Sequence, residues 1–213
     1  MADRATPALL TNGYSILTFD FRGSGASDGR FTTVGALEER DIRAAVRFLR
    51  QDRGVAPKRI GIVGVSMGAA ASAMAAQSLS DLGAVVLIAP YAGLEEAANA
   101  RTERWAGLPA RPWFAPAMMV AGLLSGADPH AARPVDRIGE LEPCPILILG
   151  GEQDWRAPVA DLRRLEARSG QHHSLVVLPG MDHNELCSFK PPVLQLVEEF
   201  LAAHVPSTSS GPQ

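Results

Sequence analysis

Short apolar runs alternate along the chain with amphipathic or small-residue segments. The apolar runs predict strands at residues 14–21, 60–65, 84–89, 145–149 and 174–178. Helices are predicted from Thr6-Pro7 to Asn12-Gly13, around residues 37–49, over residues 67–77 and from Pro191-Pro192 onward. This alternation favours an α/β fold, with a mainly parallel sheet flanked by helices.

Two of these helices show clear amphipathic periodicity. Apolar positions of the second are Leu37, Ile42, Ala45, Val46 and Leu49, and those of the last are Val193, Leu196, Val197, Phe200 and Leu201. Polar positions of the second, predicted to face largely outward, are Glu38, Glu39, Arg40 and Arg43. Each helix therefore has one face suited to packing on a sheet.

The chain is expected to form a single domain over residues 1–205. Residues 206–213 are rich in Ser, Pro and Gly and are predicted to be disordered. The least regular stretch, about residues 92–142, carries the apolar residues Trp105, Trp113, Phe114, Met118, Met119, Leu123 and Leu124. It is interpreted either as a small lid over a pocket or as helical packing on the sheet.

Composition narrows the function classes. Of 213 residues, 46% are hydrophobic and 20% charged, and the net charge of −3 without a dense basic cluster argues against a nucleic-acid partner. No apolar run is long enough to span a membrane.

Cys144 and Cys187 are interpreted as free thiols in a reducing compartment. The N-terminus lacks a signal-peptide layout, which indicates the cytoplasm. Oligomeric state is left open.

The segment Gly64-Val65-Ser66-Met67-Gly68 is the most informative motif. It lies between a predicted buried strand and a small-residue helix, which is the context of a nucleophile elbow. The sharp turn is expected to need Gly64 and Gly68, where a Cβ would clash. The free N–H groups at the helix start would face a developing oxyanion.

Other motifs are weaker. A second match to the same pattern, Gly25-Ala26-Ser27-Asp28-Gly29, has no strand abutting it and is interpreted as a loop. Gly23-Ser24-Gly25 lacks the third small residue of a dinucleotide fingerprint, because that position is Asp28. His172-His173 and the 182–185 segment do not match a metal-binding pattern, so no metal is expected.

A serine nucleophile needs a base and an orienting acid. Asp154 follows the predicted strand that ends at Leu149 and is the acid candidate, with Glu152 and Asp161 as fallbacks. His183 follows the strand that ends at Leu178 and is the base candidate. The other histidines lie elsewhere: His130 in the 92–142 stretch, His172 and His173 at the opposite end of the last strand, and His204 near the end of the last helix. Each candidate could instead be a turn or cap residue, but their joint order favours a triad.

These residues resemble the α/β-hydrolase superfamily from about Gly13 to Leu201. The matching segments are Asp20–Gly29 for the loop after the family's fourth strand, 64–68 for the elbow, 150–158 for the acid loop and 181–183 for the histidine loop. The chain is most similar to small-lid serine hydrolases, which include serine-aminopeptidase-like, lysophospholipase-like and carboxylesterase-like members. The resemblance implies Ser66 as nucleophile, Asp154 as acid, His183 as base, the Met67 N–H as an oxyanion donor and no cofactor.

One departure from the family concerns the N-terminus. The family has three strands before the one predicted at residues 14–21, and its second oxyanion donor follows the third, commonly at a His-Gly pair. Only residues 1–13 precede here, and the sequence has no His-Gly pair. The resemblance implies an N-terminally incomplete fold, with a gap inside the sheet beside the strand before Ser66 and an open edge that could pair with another chain.

Two functions of different classes follow from the sequence. The first is a serine hydrolase that cleaves a small-molecule carboxylic ester, or a thioester, amide or lipid ester, through an acyl-enzyme on Ser66. The second is a non-catalytic, truncated hydrolase-like remnant that binds a ligand or partner. Dehalogenase or epoxide hydrolase chemistry needs an Asp nucleophile, which Ser66 argues against.

Overall fold

The computed structural model describes residues 5–107, 116, 119–120 and 122–207. Four parallel strands form its sheet in the order β1-β2-β3-β4. Their bounds are Gly61–Val65 for β1, Ala84–Ile88 for β2, Ile146–Gly151 for β3 and His173–Leu178 for β4. The register places Val65 beside Ile88 and Gly151 beside Leu178. The carboxyl ends of all four strands therefore share one edge of the sheet.

Helices cover both faces of the sheet. Their bounds are Ala5–Thr11 for α1, Glu39–Arg47 for α2, Met67–Met74 for α3, Leu94–Ala106 for α4, Pro134–Arg137 for α5, Val159–Glu166 for α6, His183–Cys187 for α7 and Pro191–His204 for α8. A π-helical turn at Phe48–Asp52 extends α2, and 3₁₀ turns lie at Pro57–Arg59, Ala76–Ser78, Pro129–Ala131 and Ile138–Leu141.

The two central strands are buried throughout and supply core residues to both faces. Val85 and Leu87 of β2 belong to the cluster that includes α2, α3 and α6, whereas Val86 and Ile88 belong to the cluster that includes α1 and α8. This alternation follows from the period-two direction of strand side chains. It explains why these strands read as continuous apolar runs.

Most elements confirm the sequence-based prediction to within a few residues. The strands predicted at residues 60–65, 84–89, 145–149 and 174–178 are β1 to β4, and the helices that begin near Thr6 and at Pro191 are α1 and α8. Val193, Val197 and Leu201 of α8 are buried, as its apolar periodicity indicates. Cys144 and Cys187 are free and buried, and burial raises the pKa of the Cys144 thiol to about 12.

The predicted strand at residues 14–21 is wrong. This segment makes no ladder hydrogen bonds within the described residues, although Tyr14 and Ile16 still pack against the apolar cluster that includes Val63 and Val65. A strand needs a hydrogen-bonded neighbour, and none lies beside this segment in the described part of the chain. The sequence pattern therefore predicts the apolar character of the segment correctly, but its prediction that the segment pairs with another strand is wrong.

Glu38 also departs from its predicted outward position, because it is fully buried. Its carboxylate accepts hydrogen bonds from the Thr32 and Thr33 hydroxyls and from the backbone N–H groups of Thr33 and Gly35. Burial alone would raise the pKa of Glu38, but these hydrogen bonds outweigh it and lower the pKa. Glu38 thus organises the loop that precedes α2.

The proposed lid at residues 92–142 falls only partly within the described residues. Trp113, Phe114 and Met118 lie outside them, as does the end of the tail from residue 208 onward. Within them, an exposed apolar group lies between α4 and α5 along the chain and consists of Met119, Val120, Leu123 and Leu124. A lid over this edge of the sheet stays a prediction. Among the described helices, none has the length and apolar character needed to cross a membrane.

Candidate active site

Ser66 occupies the turn between β1 and α3. Its backbone adopts a φ of 51°, in the left-handed region that a residue with a Cβ rarely adopts. The Ser66 N–H donates to the carbonyl of Ile88 on β2 over 2.8 Å, and its own carbonyl accepts from Ala70 in α3. The turn is thus fixed on both sides, and the strained residue is held at the carboxyl edge of the sheet.

The two glycines of the elbow differ in their steric role. A Cβ on Gly64 would lie 2.7 Å from the carbonyl oxygen of Gly68 and 2.8 Å from Ala69 Cα, so Gly64 is required for close passage of the helix. A Cβ on Gly68 would lie 3.7 Å from the Phe21 ring, which is an ordinary van der Waals contact. The expectation that Gly68 also prevents a clash is therefore wrong.

Asp154 follows β3 and is almost completely buried. Its Oδ1 accepts hydrogen bonds from the backbone N–H groups of Arg156 over 2.8 Å and Ala157 over 3.0 Å. These bonds close a turn around the carboxylate and leave Oδ2 directed to another partner. That partner is His183, whose Nδ1 lies 2.7 Å from Oδ2.

His183 is the first residue of α7, and a capping box fixes the start of this helix. The Asp182 carboxylate accepts from the Glu185 N–H, while the Glu185 carboxylate accepts from the Asp182 N–H. The imidazole thereby lies with Nδ1 at Asp154 and with Nε2 at 3.1 Å from Ser66 Oγ. The structure brings together the three residues singled out from the sequence, which lie on three different loops.

The alternative candidates interact with residues outside the site. His172 Nδ1 lies beside Glu142 and His130 Nδ1 beside Glu95, while His204 Nδ1 lies beside the carbonyl of Phe200. Asp161 accepts from Ala92 N–H and pairs with Arg164, and Glu152 accepts from Gly180 N–H. The second serine motif is a loop, as expected, in which Asp20 accepts from Ala26 and Ser27.

The electrostatics of His183 favour the charged imidazole. Burial disfavours protonation, but the hydrogen bond and negative charge of Asp154, with a further contribution from Cys187, raise the pKa of His183 to about 9. Cys187 lies four residues after His183, on the same face of α7. The proximity of Cys187 to His183 was not predicted from the sequence, although a spacing of four residues on a helix indicates that two side chains share one face.

Met67 begins α3 immediately after Ser66. Within the described part of the chain its backbone N–H has no hydrogen-bond acceptor, as the first N–H groups of a helix commonly lack one. Its role as an oxyanion donor stays a prediction. The loop organised by Glu38 lies beside it, since the Thr32 hydroxyl is 3.6 Å from Met67 Sδ. No signal in the sequence placed that loop at the elbow.

The fold and the arrangement of the site define an α/β hydrolase. The chain superposes on the Pyrococcus furiosus esterase Pf2001 with a TM-score of 0.73 and 26% identity, covering 94% of this chain and 76% of that one. It also superposes on a Paleococcus ferrophilus monoacylglycerol lipase with a TM-score of 0.68 and 16% identity, covering 95% and 89% of the two chains. At that identity, the second likeness concerns the fold alone.

The chain belongs to the family described as serine aminopeptidase, S33, whose profile matches residues 2–132. An uncharacterized protein of Mycobacterium tuberculosis is 31% identical over 173 residues, which are 81% of this chain and 54% of that protein. The lysophosphatidylserine lipase ABHD12 of Danio rerio is 26% identical over 211 residues, covering 91% of this chain and 52% of that protein. The chain thus spans about half the length of these relatives.

Proposed function

We propose that this chain is a serine hydrolase that cleaves carboxylic esters through an acyl-enzyme on Ser66. The observation that carries the proposal is the continuous hydrogen-bonded series from Asp154 through His183 to Ser66. Each member is held by its own local structure, namely the elbow, the Asp154 turn and the capped α7. Such an arrangement converts a weakly nucleophilic hydroxyl into an activated one.

The geometry supports a two-step mechanism. His183 Nε2 takes the proton of Ser66 Oγ as this oxygen attacks the ester carbonyl, and Asp154 stabilises the imidazolium that forms. The imidazolium then protonates the departing alcohol, which leaves the acyl group on Ser66. In the second step His183 activates a water molecule that hydrolyses the acyl-enzyme. The Met67 N–H at the start of α3 is the proposed donor to the oxyanion in both steps.

The proposed substrate is an ester with an apolar acyl group. Support comes from the exposed apolar group of Met119, Val120, Leu123 and Leu124 and from similarity to proteins named as an esterase and as a lysophosphatidylserine lipase. A thioester, an amide or a lipid ester fits the same acyl-transfer chemistry. The site needs no cofactor for these steps, because every proton transfer has a side-chain partner.

A second candidate is a non-catalytic hydrolase-like chain that binds a ligand or partner. It is favoured by residues 14–21, which pair with no strand in the described part of the chain, and by β1, which is an edge strand of the described sheet. Unpaired backbone groups at a sheet edge suit pairing with another polypeptide. This candidate predicts a folded chain whose Ser66 does not react with acylating reagents.

Ester hydrolysis tests the proposed function. We expect the purified chain to hydrolyse 4-nitrophenyl esters, with kcat/KM rising from acetyl to octanoyl because a longer acyl chain buries more apolar surface. Ser66→Ala is the control for background hydrolysis and is expected to reduce kcat by at least about 10⁴-fold. Equal rates for the two proteins would refute the proposal.

The pKa of His183 predicts the pH dependence of hydrolysis. Only the neutral imidazole accepts the Ser66 proton, so activity is lost as pH falls through the pKa of His183. Because this pKa is raised to about 9, kcat/KM should still be rising above neutral pH, rather than levelling off near the ordinary histidine pKa. Initial rates from about pH 6 to about pH 10, corrected with Ser66→Ala, measure this profile. A plateau that begins near neutral pH would contradict it.

A further inference from the structure

Two arginines share one aromatic ring beside the Asp154 turn. The guanidinium carbon of Arg104 lies 4.9 Å from the centre of the Trp155 ring, and that of Arg156 lies 5.4 Å from the same centre. Trp155 directly follows Asp154 in the chain, whereas Arg104 is in the last turn of α4. Cation–π contacts of this kind fix the position of a guanidinium group and still leave its N–H donors available.

The arrangement is tied to the candidate active site by direct contacts. Asp154 Oδ1 accepts from the Arg156 N–H, while Oδ2 of the same carboxylate lies at His183. An Arg156 guanidinium nitrogen is also 3.5 Å from Asn184 Oδ1, on the residue after His183. The carboxylate that orients the imidazole therefore also holds the backbone of Arg156.

Neither guanidinium is neutralised by a carboxylate within the part of the chain that the structure describes. In contrast, Arg133 and Arg164 lie between acidic partners, and Arg22 pairs with Asp41. Two like charges on one ring repel each other, and this repulsion is relieved when an anion binds between or beside them. Arg104 is exposed and Arg156 is partly exposed, so both are accessible to a ligand.

We infer that Arg104 and Arg156, positioned by Trp155, form an anion subsite that selects esters whose alcohol portion carries a phosphate or carboxylate. This inference rests on the proposed function and adds a specificity to it. The planar guanidinium suits the paired oxygens of both anions. Arg104 belongs to α4 and Arg156 to the acid loop, so binding of the anion would link these two segments beside the Asp154 turn.

The test compares three substrates that share the same octanoyl group. They are monooctanoylglycerol, its phosphate ester, and monooctanoyl glycerate, which carries a carboxylate instead of a phosphate. Wild type is expected to show a higher kcat/KM for the two anionic esters than for the neutral one. Arg104→Gln and Arg156→Gln should each reduce kcat/KM for an anionic ester by about 10-fold, the size of a lost charge-assisted hydrogen bond. The neutral ester should change less than about 3-fold.

A matched control is Arg53→Gln, because Arg53 also lies over an aromatic ring, 5.2 Å from the centre of Phe48, but precedes β1 at the opposite edge of the sheet. It should leave the ratio of anionic to neutral hydrolysis unchanged. If the arginine substitutions reduce kcat/KM for only one of the two anionic esters, that ester carries the preferred anion. A ratio that is unchanged in the double variant Arg104→Gln/Arg156→Gln overturns the inference.

Binding of dodecyl phosphate, measured by calorimetry, separates this inference from the proposed function. The double variant should bind it at least about 10-fold more weakly than wild type. Weaker binding together with an unreactive Ser66 in wild type would uphold the subsite and refute the hydrolase. Equal binding in the two proteins, with Ser66 still reactive toward a neutral fluorophosphonate, would refute the subsite and uphold the hydrolase.

Discussion

Asp154→Asn is expected to lower kcat for ester hydrolysis by about 10⁴-fold while the chain stays folded. The reason is specific to the two oxygens of Asp154. Oδ1 accepts two backbone N–H groups, so the Asn oxygen is expected to take that position and the Asn amide to face His183 Nδ1. The imidazole would then carry its proton on Nε2, which points at Ser66 Oγ and could no longer accept the serine proton.

Asp161→Asn provides the matched control for this prediction. Asp161 is also a buried carboxylate, but it accepts from Ala92 N–H and pairs with Arg164 rather than with His183. Its replacement is expected to change kcat by less than about 5-fold. If both variants lost activity equally, the loss would reflect a general effect of removing a buried charge, and the assignment of Asp154 as the acid would be wrong.

Gly64→Ala is expected to reduce the free energy of unfolding by about 3 kcal/mol and to abolish labelling of Ser66. The added Cβ would lie 2.7–2.8 Å from backbone atoms of Gly68 and Ala69, which cannot move without displacing α3 from β1. Since Ser66 lies in the turn between these two elements, any such displacement moves Oγ away from His183. Urea denaturation gives the stability change, and mass spectrometry gives the labelling.

Gly68→Ala is the control within the same motif. Its Cβ would make only an ordinary contact with Phe21, and alanine is the better helix former by up to about 1 kcal/mol. We expect unchanged or slightly higher stability, with labelling of Ser66 retained. Equal damage from both substitutions would show that the elbow tolerates no side chain at either position, against the distances in the structure.

The elements that the sequence predicts well are those whose signals are local. The strands β1 to β4 are mostly apolar runs, and the elbow combines a strand, a small-residue turn and a helix within 64–68. The sequence predicts Asp154 and His183 as site candidates because each follows a strand, and parallel strands bring their carboxyl ends to one edge. The catalytic roles of Ser66, Asp154, His183 and Met67 stay predictions that the experiments above test.

The features that the sequence did not reveal depend on tertiary neighbours. Residues 14–21 have a strand pattern, but pairing depends on a partner strand that no local pattern can report. Glu38 reads as a surface residue of α2, yet the preceding loop folds over its carboxylate. The stacking of Arg104 on Trp155 joins residues about 50 positions apart, and no local sequence pattern connects the two.

The central claim is that Ser66 is an activated nucleophile in this chain, and intact-protein mass spectrometry after incubation with a fluorophosphonate tests it most directly. The account predicts a single covalent adduct on the wild type and none on Ser66→Ala, because only a serine within reach of His183 Nε2 is activated. A folded wild-type chain that forms no adduct, or an adduct of equal yield on Ser66→Ala, would contradict it.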